Sequence, residues 1–212
     1  MPFLQEIFPP CAVRTGIWHI TETAAELLSF IQLSESENNQ YQSFGHDLRK
    51  RQWLASRALL KCLLFPNSSE ILYDINGKPF LTSGSHQISV THAGEFAAAV
   101  CAENFMVGID IEKLTGRVER VKERFMLNGE LESLIPENRL DQLYIYWCGK
   151  EALYKLHGKP ELDFRNDIYI HPFDYLCHTN HTCKATLTVD GSRKDYTLYY
   201  QKIEAYMLVV AF

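Results

Sequence analysis

The sequence predicts an α+β fold made of two lobes, each with a small, mainly antiparallel sheet and helices packed on it. Patterns typical of helices are followed by patterns typical of strands, and this order occurs twice, in halves that meet near residue 104. A doubly wound parallel sheet would instead alternate strands with helices. We therefore expect an N-terminal lobe over residues 1–103 and a C-terminal lobe over residues 104–212.

The N-terminal half combines helices with short strands. Thr23 and Glu26 have the spacing of a capping box, which predicts a helix start. Pro66 ends the following helix because proline cannot continue it, and Asn76-Gly77 is a favoured hairpin turn. The predicted elements are helices at about 24–33 and 46–65, a polar loop or frayed helix at 34–44, and strands at about 71–75, 79–81, 88–91 and 96–102.

The C-terminal half repeats this order around one long helix. An apolar stripe runs through residues 139–157, as in a helix packed on a core, and Gly158 is a typical stop. Asp190-Gly191 marks a hairpin turn near the end of the chain. The predicted elements are a strand at about 106–112, helices near 117–126, 129–135 and 139–157, and strands at about 167–171, 183–190, 195–202 and 205–211.

Composition indicates a globular protein of the cytoplasm. Hydrophobic residues make up 46% of the 212 residues and charged ones 22%, which is ordinary for a soluble domain. No segment approaches the roughly 18 apolar residues of a membrane span, and the start of the chain lacks the pattern of a secretory signal. The six cysteines, at positions 11, 62, 101, 148, 177 and 183, include no Cys-x-x-Cys pair. We expect them to be reduced, with Cys62, Cys101 and Cys148 buried as packing residues.

The net charge of −5 argues against broad nucleic-acid binding, which depends on many contacts from Lys and Arg to phosphates. The charge is uneven along the chain. Between His46 and Lys61, one acid, Asp47, is outnumbered by basic residues, which are Arg49, Lys50, Arg51, Arg57 and Lys61. This segment is either a local anion site or a solvated helix face.

One predicted strand carries two acids. In Val107–Glu112, apolar residues alternate with glycine and acids, so a strand places Asp110 and Glu112 on one face. Charges roughly 7 Å apart repel by about 2–3 kcal/mol at an effective dielectric near 20, which favours a cation between them. Ligands that are all oxygen indicate Mg²⁺ or Mn²⁺ rather than zinc. The alternative is a surface strand with two solvated acids.

The long C-terminal helix carries a third acid. Trp147, Glu151 and Lys155 follow one another at intervals of one turn, so the apolar stripe leads to a carboxylate and then to an ammonium group. A third acidic ligand beside a cation suits a site that handles phosphate.

These two segments together resemble the signature of the Sfp-type 4′-phosphopantetheinyl transferases, a Gly-Ile-Asp-x-Glu strand followed by a Trp-x-x-Lys-Glu-Ala-x-x-Lys helix. Every position of that signature is filled here. Three further motifs occur in the family's order, namely an Arg-rich helix at Arg51–Lys61, Gly77-Lys78-Pro79, and Ser89–Gly94. The resemblance covers about residues 49–175 and implies a fold of two lobes related by pseudo-twofold symmetry.

The resemblance implies Mg²⁺-dependent transfer of 4′-phosphopantetheine from coenzyme A to a serine of an apo carrier protein, with release of adenosine 3′,5′-bisphosphate. In the C-terminal lobe, Mg²⁺ (or Mn²⁺) would be held by Asp110, Glu112 and Glu151. The base would be Glu151, a water on the metal, or Glu130, and Lys155 would neutralise or protonate the departing phosphate. In the N-terminal lobe, coenzyme A phosphates would be bound by Arg51, Arg57, Lys78, Thr91 and His92.

The family often places basic residues after its first helix, and this chain departs from that pattern with the polar stretch Ser34–Gln40. We expect coenzyme A either to bind more weakly or to rely more on Arg49, Lys50 and Arg51. By analogy with family members of this length, we also expect a monomer.

We expect the carrier protein to be acidic. This chain therefore needs a basic or apolar surface to bind the carrier. The candidate surface, which is equally well a solvated helix face, consists of Arg117, Arg120, Lys122, Arg124, Met126 and Leu127. Two other functions stay open. Asp110–Lys113 also resembles the acid and lysine pattern of some metal-dependent nucleases, and a non-catalytic module that binds coenzyme A or a carrier protein would share these motifs.

Overall fold

The computed structural model describes residues 3–7, 13–65, 70–175 and 181–212. The chain divides into two compact units, one of Met1–Asp74 with Pro79–Asn104 and one of Ile75–Lys78 with Phe105–Phe212. Each unit has an antiparallel sheet and helices packed on it, so the predicted α+β class is confirmed. The pseudo-twofold relation and the roles assigned to the lobes stay predictions.

The first unit is built on a four-stranded sheet. Its elements are β1 (Phe3–Ile7), β2 (Arg14–His19), α1 (Ala24–Leu28), α2 (Glu35–Ser43), α3 (Asp47–Leu64), β3 (Ile71–Tyr73), β4 (Pro79–Leu81), β5 (Gln87–Ala93) and β6 (Phe96–Ala102). The sheet order is β1-β2-β6-β5, with every neighbouring pair antiparallel, and β3 and β4 form a separate hairpin. Helix α3 packs on β2, β5 and β6.

Capping residues explain where the short helices of this unit begin. The predicted capping box of Thr23 and Glu26 is present at the start of α1. A second box, of Ser34 and Glu37, starts α2, so the polar stretch predicted as a loop or frayed helix is a regular helix. The helix lacks the wide apolar face by which helices are recognised in a sequence. It is stabilised instead by its caps and by two buried residues, Glu37 and Tyr41.

The second unit is built on a five-stranded sheet crossed by one long helix. Its elements are β7 (Gly108–Lys113), α4 (Arg117–Phe125), α5 (Asn128–Glu132), a 3₁₀ turn (Pro136–Asn138), α6 (Arg139–His157), β8 (Ile168–Ile170), β9 (His181–Val189), β10 (Ser192–Ile203) and β11 (Tyr206–Ala211). The order is β7-β11-β10-β9-β8, again antiparallel throughout. Helix α6 packs on β7, β8, β10 and β11.

Glycines let α6 approach the sheet closely. A Cβ on Gly149 of the helix would lie 2.8 Å from Leu198 Cδ1 and 2.9 Å from Ile170 Cδ1. Helix α6 ends at Gly158, whose φ of 75° is the left-handed conformation of a helix cap, so the predicted stop is confirmed. Gly149 therefore lets α6 pack closely on β8 and β10.

The cysteines follow the prediction in part. Cys101 and Cys148 are buried, and so is Cys183, whose pKa is raised to about 12 by burial. Cys62 is exposed, so the prediction that it packs in the core is wrong, because it lies on the outer face of α3. Cys11 and Cys177 lie outside the described residues.

Within the part of the chain that the structure describes, none of the helices has both the length and the apolar character needed to cross a bilayer.

Candidate active site

Strand β7 presents its acids toward α6. A Cβ on Gly108 would lie 1.9 Å from the carbonyl oxygen of Ala152 in the helix, so this face of the strand is pressed against α6. Side chains alternate along a strand, and Asp110 and Glu112 therefore share the face of Gly108. Asp110 is only 4% exposed, and Glu112 is half-buried. Because β7 is the edge strand of its sheet, the acids stand at the border of the core.

Lys155 of α6 is bound directly to one of these acids. Its ammonium group donates to Asp110 Oδ1 at 2.7 Å and to the carbonyl oxygen of Ile109 at 3.2 Å. The pair is partly shielded, with the Lys155 side chain 30% exposed and that of Asp110 6% exposed. Lys155, which the sequence motif assigns to a phosphate, thus forms an ion pair with Asp110 in the structure.

Glu151 lies within electrostatic range of both strand acids. Burial, followed by the nearby charge of Asp110, raises the pKa of Glu151 to about 7, and Glu112 adds to the same effect. Burial and Asp110 likewise raise the pKa of Glu112, while Lys155 and a hydrogen bond from Trp147 oppose the rise. Three carboxylates on β7 and α6 therefore repel one another in a partly dry environment.

The donor set of this cluster suits a hard divalent cation. Across the described ranges, no three side chains of His, Cys, Asp or Glu stand close enough together to hold a metal ion in their present positions. The charge of Asp110 nevertheless raises the pKa of both Glu112 and Glu151, and the donor atoms of all three side chains are oxygen, the ligand type that Mg²⁺ prefers. The residues fit Mg²⁺ chemically, and binding requires their side chains to draw together.

Glu130, the other predicted base, lies in the core. It is fully buried, and its oxygens accept from the backbone N–H groups of Leu127 at 2.7 Å and Ile170 at 2.9 Å. Its Oε2 also accepts from Lys150 at 2.9 Å, and both side chains of this ion pair are 0% exposed. Sequence reasoning left the role of Lys150 unexamined, although it occupies a position in the helix motif.

The predicted phosphate-binding residues of the first unit have different surroundings. Arg57 is only 6% exposed, donates to Glu37 at 3.1 Å and stacks on Trp53 at 3.3 Å from the ring centroid. Arg51 is partly exposed and pairs with Asp47, one turn away on α3, at 2.8 Å. Arg57 is therefore held in the core of this unit, whereas Arg51 remains partly accessible to solvent.

A small cavity of about 50 Å³ brings together several basic side chains of the first unit. Arg49, Arg57 and His92 line it, and a side-chain contact joins Arg49 to His92. Thr91, which neighbours His92 on β5, is 6% exposed and is not among the lining residues. Arg49 was recognised from the sequence only as a member of the basic segment, and its contact with His92 could be found only from the fold.

Lys78 belongs to the second unit, unlike the other four predicted phosphate-binding residues. Its ammonium group donates to the carbonyl oxygen of Leu156 at 2.6 Å, near the carboxyl end of α6. A cation there is stabilised by the negative end of the helix dipole and by a carbonyl that the helix leaves without an internal partner.

The part of the chain that carries the acidic strand and α6 is similar to known proteins. The family model described as the 4′-phosphopantetheinyl transferase superfamily matches residues 106–210. This range contains Asp110, Glu112, Glu151 and Lys155, and it excludes the predicted phosphate-binding residues Arg51, Arg57, Lys78, Thr91 and His92.

Three relatives are named as transferases of this kind. The 4′-phosphopantetheinyl transferase AcpT of Escherichia coli (strain K12) is 31% identical over 119 residues, which are 52% of this chain and 59% of the relative. The AcpT protein of Salmonella typhimurium is 32% identical over 117 residues, covering 52% and 60% respectively. The L-aminoadipate-semialdehyde dehydrogenase-phosphopantetheinyl transferase of Xenopus laevis is 28% identical over 173 residues, covering 69% and 56%.

The chain thus spans less than two thirds of the length of the curated relatives that it matches. The assignment of this chain to the Sfp-type subgroup stays a prediction. The matched range coincides with the acidic strand and the helix that carries Glu151 and Lys155, and residues 106–210 of this chain match a domain of the 4′-phosphopantetheinyl transferase superfamily.

Proposed function

We propose that this protein transfers the 4′-phosphopantetheine group of coenzyme A to a serine hydroxyl of an apo carrier protein and releases adenosine 3′,5′-bisphosphate. The observation that carries the proposal is the placement of Asp110, Glu112, Glu151 and Lys155 on one strand and one helix, inside the range matched by the superfamily. The relatives described above are 4′-phosphopantetheinyl transferases by name, which supports the same reaction.

The acidic cluster suits the pyrophosphate of coenzyme A, which is an anion and needs a bridging cation. In this proposal, Asp110, Glu112 and Glu151 hold Mg²⁺, and Mn²⁺ is expected to replace it. When bound, the ion supplies positive charge that stabilises the phosphate oxygens during transfer.

Glu151 is a better candidate than Glu130 for the base that removes the proton of the serine hydroxyl. Before a metal binds, burial and the charge of Asp110 raise the pKa of Glu151 to about 7, close to neutral pH, and its side chain is half-buried rather than enclosed. Glu130 is 0% exposed and is already bonded to two backbone N–H groups and to Lys150. Removing it from those partners would leave the Lys150 charge buried and unpaired.

Lys155 serves the departing phosphate in this proposal. Its ammonium group is already held at the acidic cluster by Asp110, and its side chain remains 30% exposed. A cation that is positioned before the substrate arrives stabilises developing negative charge with little reorganisation.

The 3′-phosphate of coenzyme A requires fixed cations, and the first unit offers them around its small cavity. Arg49, Arg57 and His92 line that cavity, and Arg51 lies partly exposed on the same helix as the two arginines. We infer that Arg49 and His92 bind the phosphate directly, while Arg57 braces them through its stacking on Trp53. Lys78 and Thr91 stay in the proposal on the strength of the family motif.

The carrier protein is expected to meet the exposed basic face of α4. Arg117, Arg120 and Arg124 are exposed there. Lys122 is partly neutralised by Glu119 at 2.6 Å. Met126 is 0% exposed and is therefore removed from the predicted contact surface.

Incubation with coenzyme A, Mg²⁺ and a panel of apo carrier proteins tests the proposed function. We expect at least one carrier to gain the mass of one phosphopantetheine group, as measured by mass spectrometry. Binding of coenzyme A without any transfer would indicate a non-catalytic module, and cleavage of single-stranded DNA with Mg²⁺ in place of transfer would indicate a nuclease. Either result would overturn the proposal.

A further inference from the structure

A buried ion pair ties four segments of the second unit together. The Lys150 ammonium group has three hydrogen-bond partners, namely Glu130 Oε2 at 2.9 Å and the carbonyl oxygens of Phe164 at 2.9 Å and Ile168 at 2.7 Å. Glu130 in turn accepts from the backbone N–H groups of Leu127 and Ile170. The pair thus links α6 to the start of α5, to the segment that follows α6, and to β8.

Stability alone is a weak reason for such a pair. Removing two charges from water carries a desolvation penalty that their mutual attraction often fails to offset, and well-packed apolar residues commonly serve as well. Both side chains here are 0% exposed, so the penalty applies in full. The pair does, however, fix which backbone atoms lie beside α6, because each ammonium proton is assigned to one acceptor.

One of those acceptors belongs to Phe164, whose ring packs against two aromatic residues of α6, one before and one after Glu151. The Phe164 ring lies 5.9 Å from the ring of Trp147 and 5.4 Å from the ring of Tyr154, measured between centroids. Trp147 precedes Glu151 by one turn and Tyr154 follows it by three residues, so the two rings flank it on the helix. Trp147 also hydrogen-bonds Glu112. Phe164 is therefore packed between the neighbours of two members of the acidic cluster.

We propose that Lys150 and Glu130 are positioning residues, which hold Phe164 against Trp147 and Tyr154 and thereby orient Glu151 toward the strand acids. Neither residue of the pair contacts substrate in this arrangement. The inference rests on the proposed function in one respect, namely that the acidic cluster binds a divalent ion. It predicts that the pair controls metal affinity through the Phe164 ring.

The test measures Mn²⁺ affinity by electron paramagnetic resonance with coenzyme A present, at a temperature where circular dichroism shows every variant folded. Phe164→Ala should weaken Mn²⁺ binding by about 10-fold to 100-fold, as loss of a supporting contact around a metal site commonly does. Phe173→Ala is the matched control, because this half-buried ring contacts Tyr146 on α6 and Tyr200 in the sheet. It should bind Mn²⁺ like the parent. Parent-like affinity of Phe164→Ala, or equal weakening of both variants, would overturn the proposal.

A double-mutant cycle links the ion pair to the ring. Lys150→Met combined with Glu130→Gln should weaken Mn²⁺ binding to a similar extent, and adding Phe164→Ala should cause little further loss. Additive losses would show that the pair acts independently of Phe164 and would contradict the proposal. If the paired substitution prevents folding, Glu130→Gln alone, which keeps the side-chain shape, takes its place in the cycle.

The outcomes separate this inference from the proposed function. A parent protein that binds Mn²⁺ but transfers nothing would refute the transferase assignment, and the variants would still decide whether the pair positions the acids. A parent protein that fails to bind Mn²⁺ would overturn the positioning role whatever its transfer activity.

Discussion

Glu151 lies in an environment that disfavours its charged form. Burial and the charges of Asp110 and Glu112 raise its pKa to about 7, so in the absence of a metal the folded protein resists ionising this group. The same repulsion favours binding of a divalent cation. Neutralising this carboxylate should therefore lower the affinity for a divalent cation and raise the folding stability of the metal-free protein.

The pH dependence of stability gives the first prediction. The folded protein keeps a proton on Glu151 between its usual pKa of 4.5 and its raised pKa of about 7, whereas the unfolded chain has already lost it. The contribution of this group to stability is thus fully present below the usual pKa and is lost as pH rises through the raised one. With a chelator present, Glu151→Gln should gain thermal stability relative to the parent between about pH 5 and pH 8. A stability difference that stays constant with pH would contradict this assignment.

Lys155 gives a second prediction at the residue scale. It is bonded to Asp110, and in the proposed reaction it stabilises the departing phosphate, so Lys155→Ala should lower turnover by on the order of 100-fold. Affinity for coenzyme A, measured by calorimetric titration, should fall much less. An equal loss in affinity and turnover would mean that Lys155 serves binding rather than the chemical step.

At the scale of elements, the site depends on how closely α6 lies on β7. Gly108 makes this approach feasible, since a Cβ there would lie 1.9 Å from the Ala152 carbonyl oxygen and 2.9 Å from the backbone nitrogen of Leu156. Backbone atoms cannot move aside as the end of a flexible side chain can. Any residue larger than glycine must therefore push the helix away from the strand that carries the acids.

Gly108→Ala should accordingly destabilise the protein by about 1–3 kcal/mol, the usual cost of overpacking a core, and weaken Mn²⁺ binding as well. Urea unfolding and metal titration measure the two effects. Gly45→Ala is the control, because a Cβ at Gly45 meets nothing within 4 Å. Parent-like stability of Gly108→Ala would show that the helix can shift without loss.

Local signals in the sequence predicted the elements that have clear boundaries. Gly158 marked the end of α6, and Thr23 with Glu26 marked the start of α1. Strand β2 was missed because its residues Thr15–Trp18 are all buried, so no polar-apolar alternation identifies them. The segment of α2 was predicted only as a loop or frayed helix because its residues are mostly polar, and its Ser34–Glu37 capping box is what makes it a regular helix.

The candidate site was predictable to the extent that it follows from periodicity. Alternation along β7 placed Asp110 and Glu112 on one face, and helical spacing placed Glu151 one turn from Lys155. The ion pair of Lys155 with Asp110 and the enclosure of Glu130 by Lys150 depend on tertiary packing between residues far apart in sequence. Sequence spacing carries no information about such contacts.

At the scale of the whole molecule, the charge distribution affects how fast a carrier protein can associate with this chain. The chain has a net charge of −5, so an acidic carrier protein would be repelled by it on average. The exposed arginines of α4 offer a local surface of the opposite sign. Electrostatic attraction of this kind mainly raises the rate of association and is weakened by salt.

Reversing two of these charges tests the surface. Arg120→Glu combined with Arg124→Glu should lower kcat/KM for an acidic carrier by about 10-fold at low salt, and the difference from the parent should shrink as ionic strength rises. The affinity for coenzyme A should stay unchanged. Equal kcat/KM values for the parent and the variant at low salt would remove α4 from the docking surface.

The most direct test of the central claim compares transfer by Glu151→Ala with transfer by Glu161→Ala, using the carrier that the parent modifies. Glu161 is exposed and is not a member of the acidic cluster, so its loss serves as a control for removal of a carboxylate elsewhere on the surface. We expect Glu151→Ala to remain folded and to lose transfer by at least about 100-fold, as measured by mass spectrometry of the carrier. We expect Glu161→Ala to match the parent. Full transfer by Glu151→Ala would contradict the claim that three carboxylates on β7 and α6 form the catalytic centre.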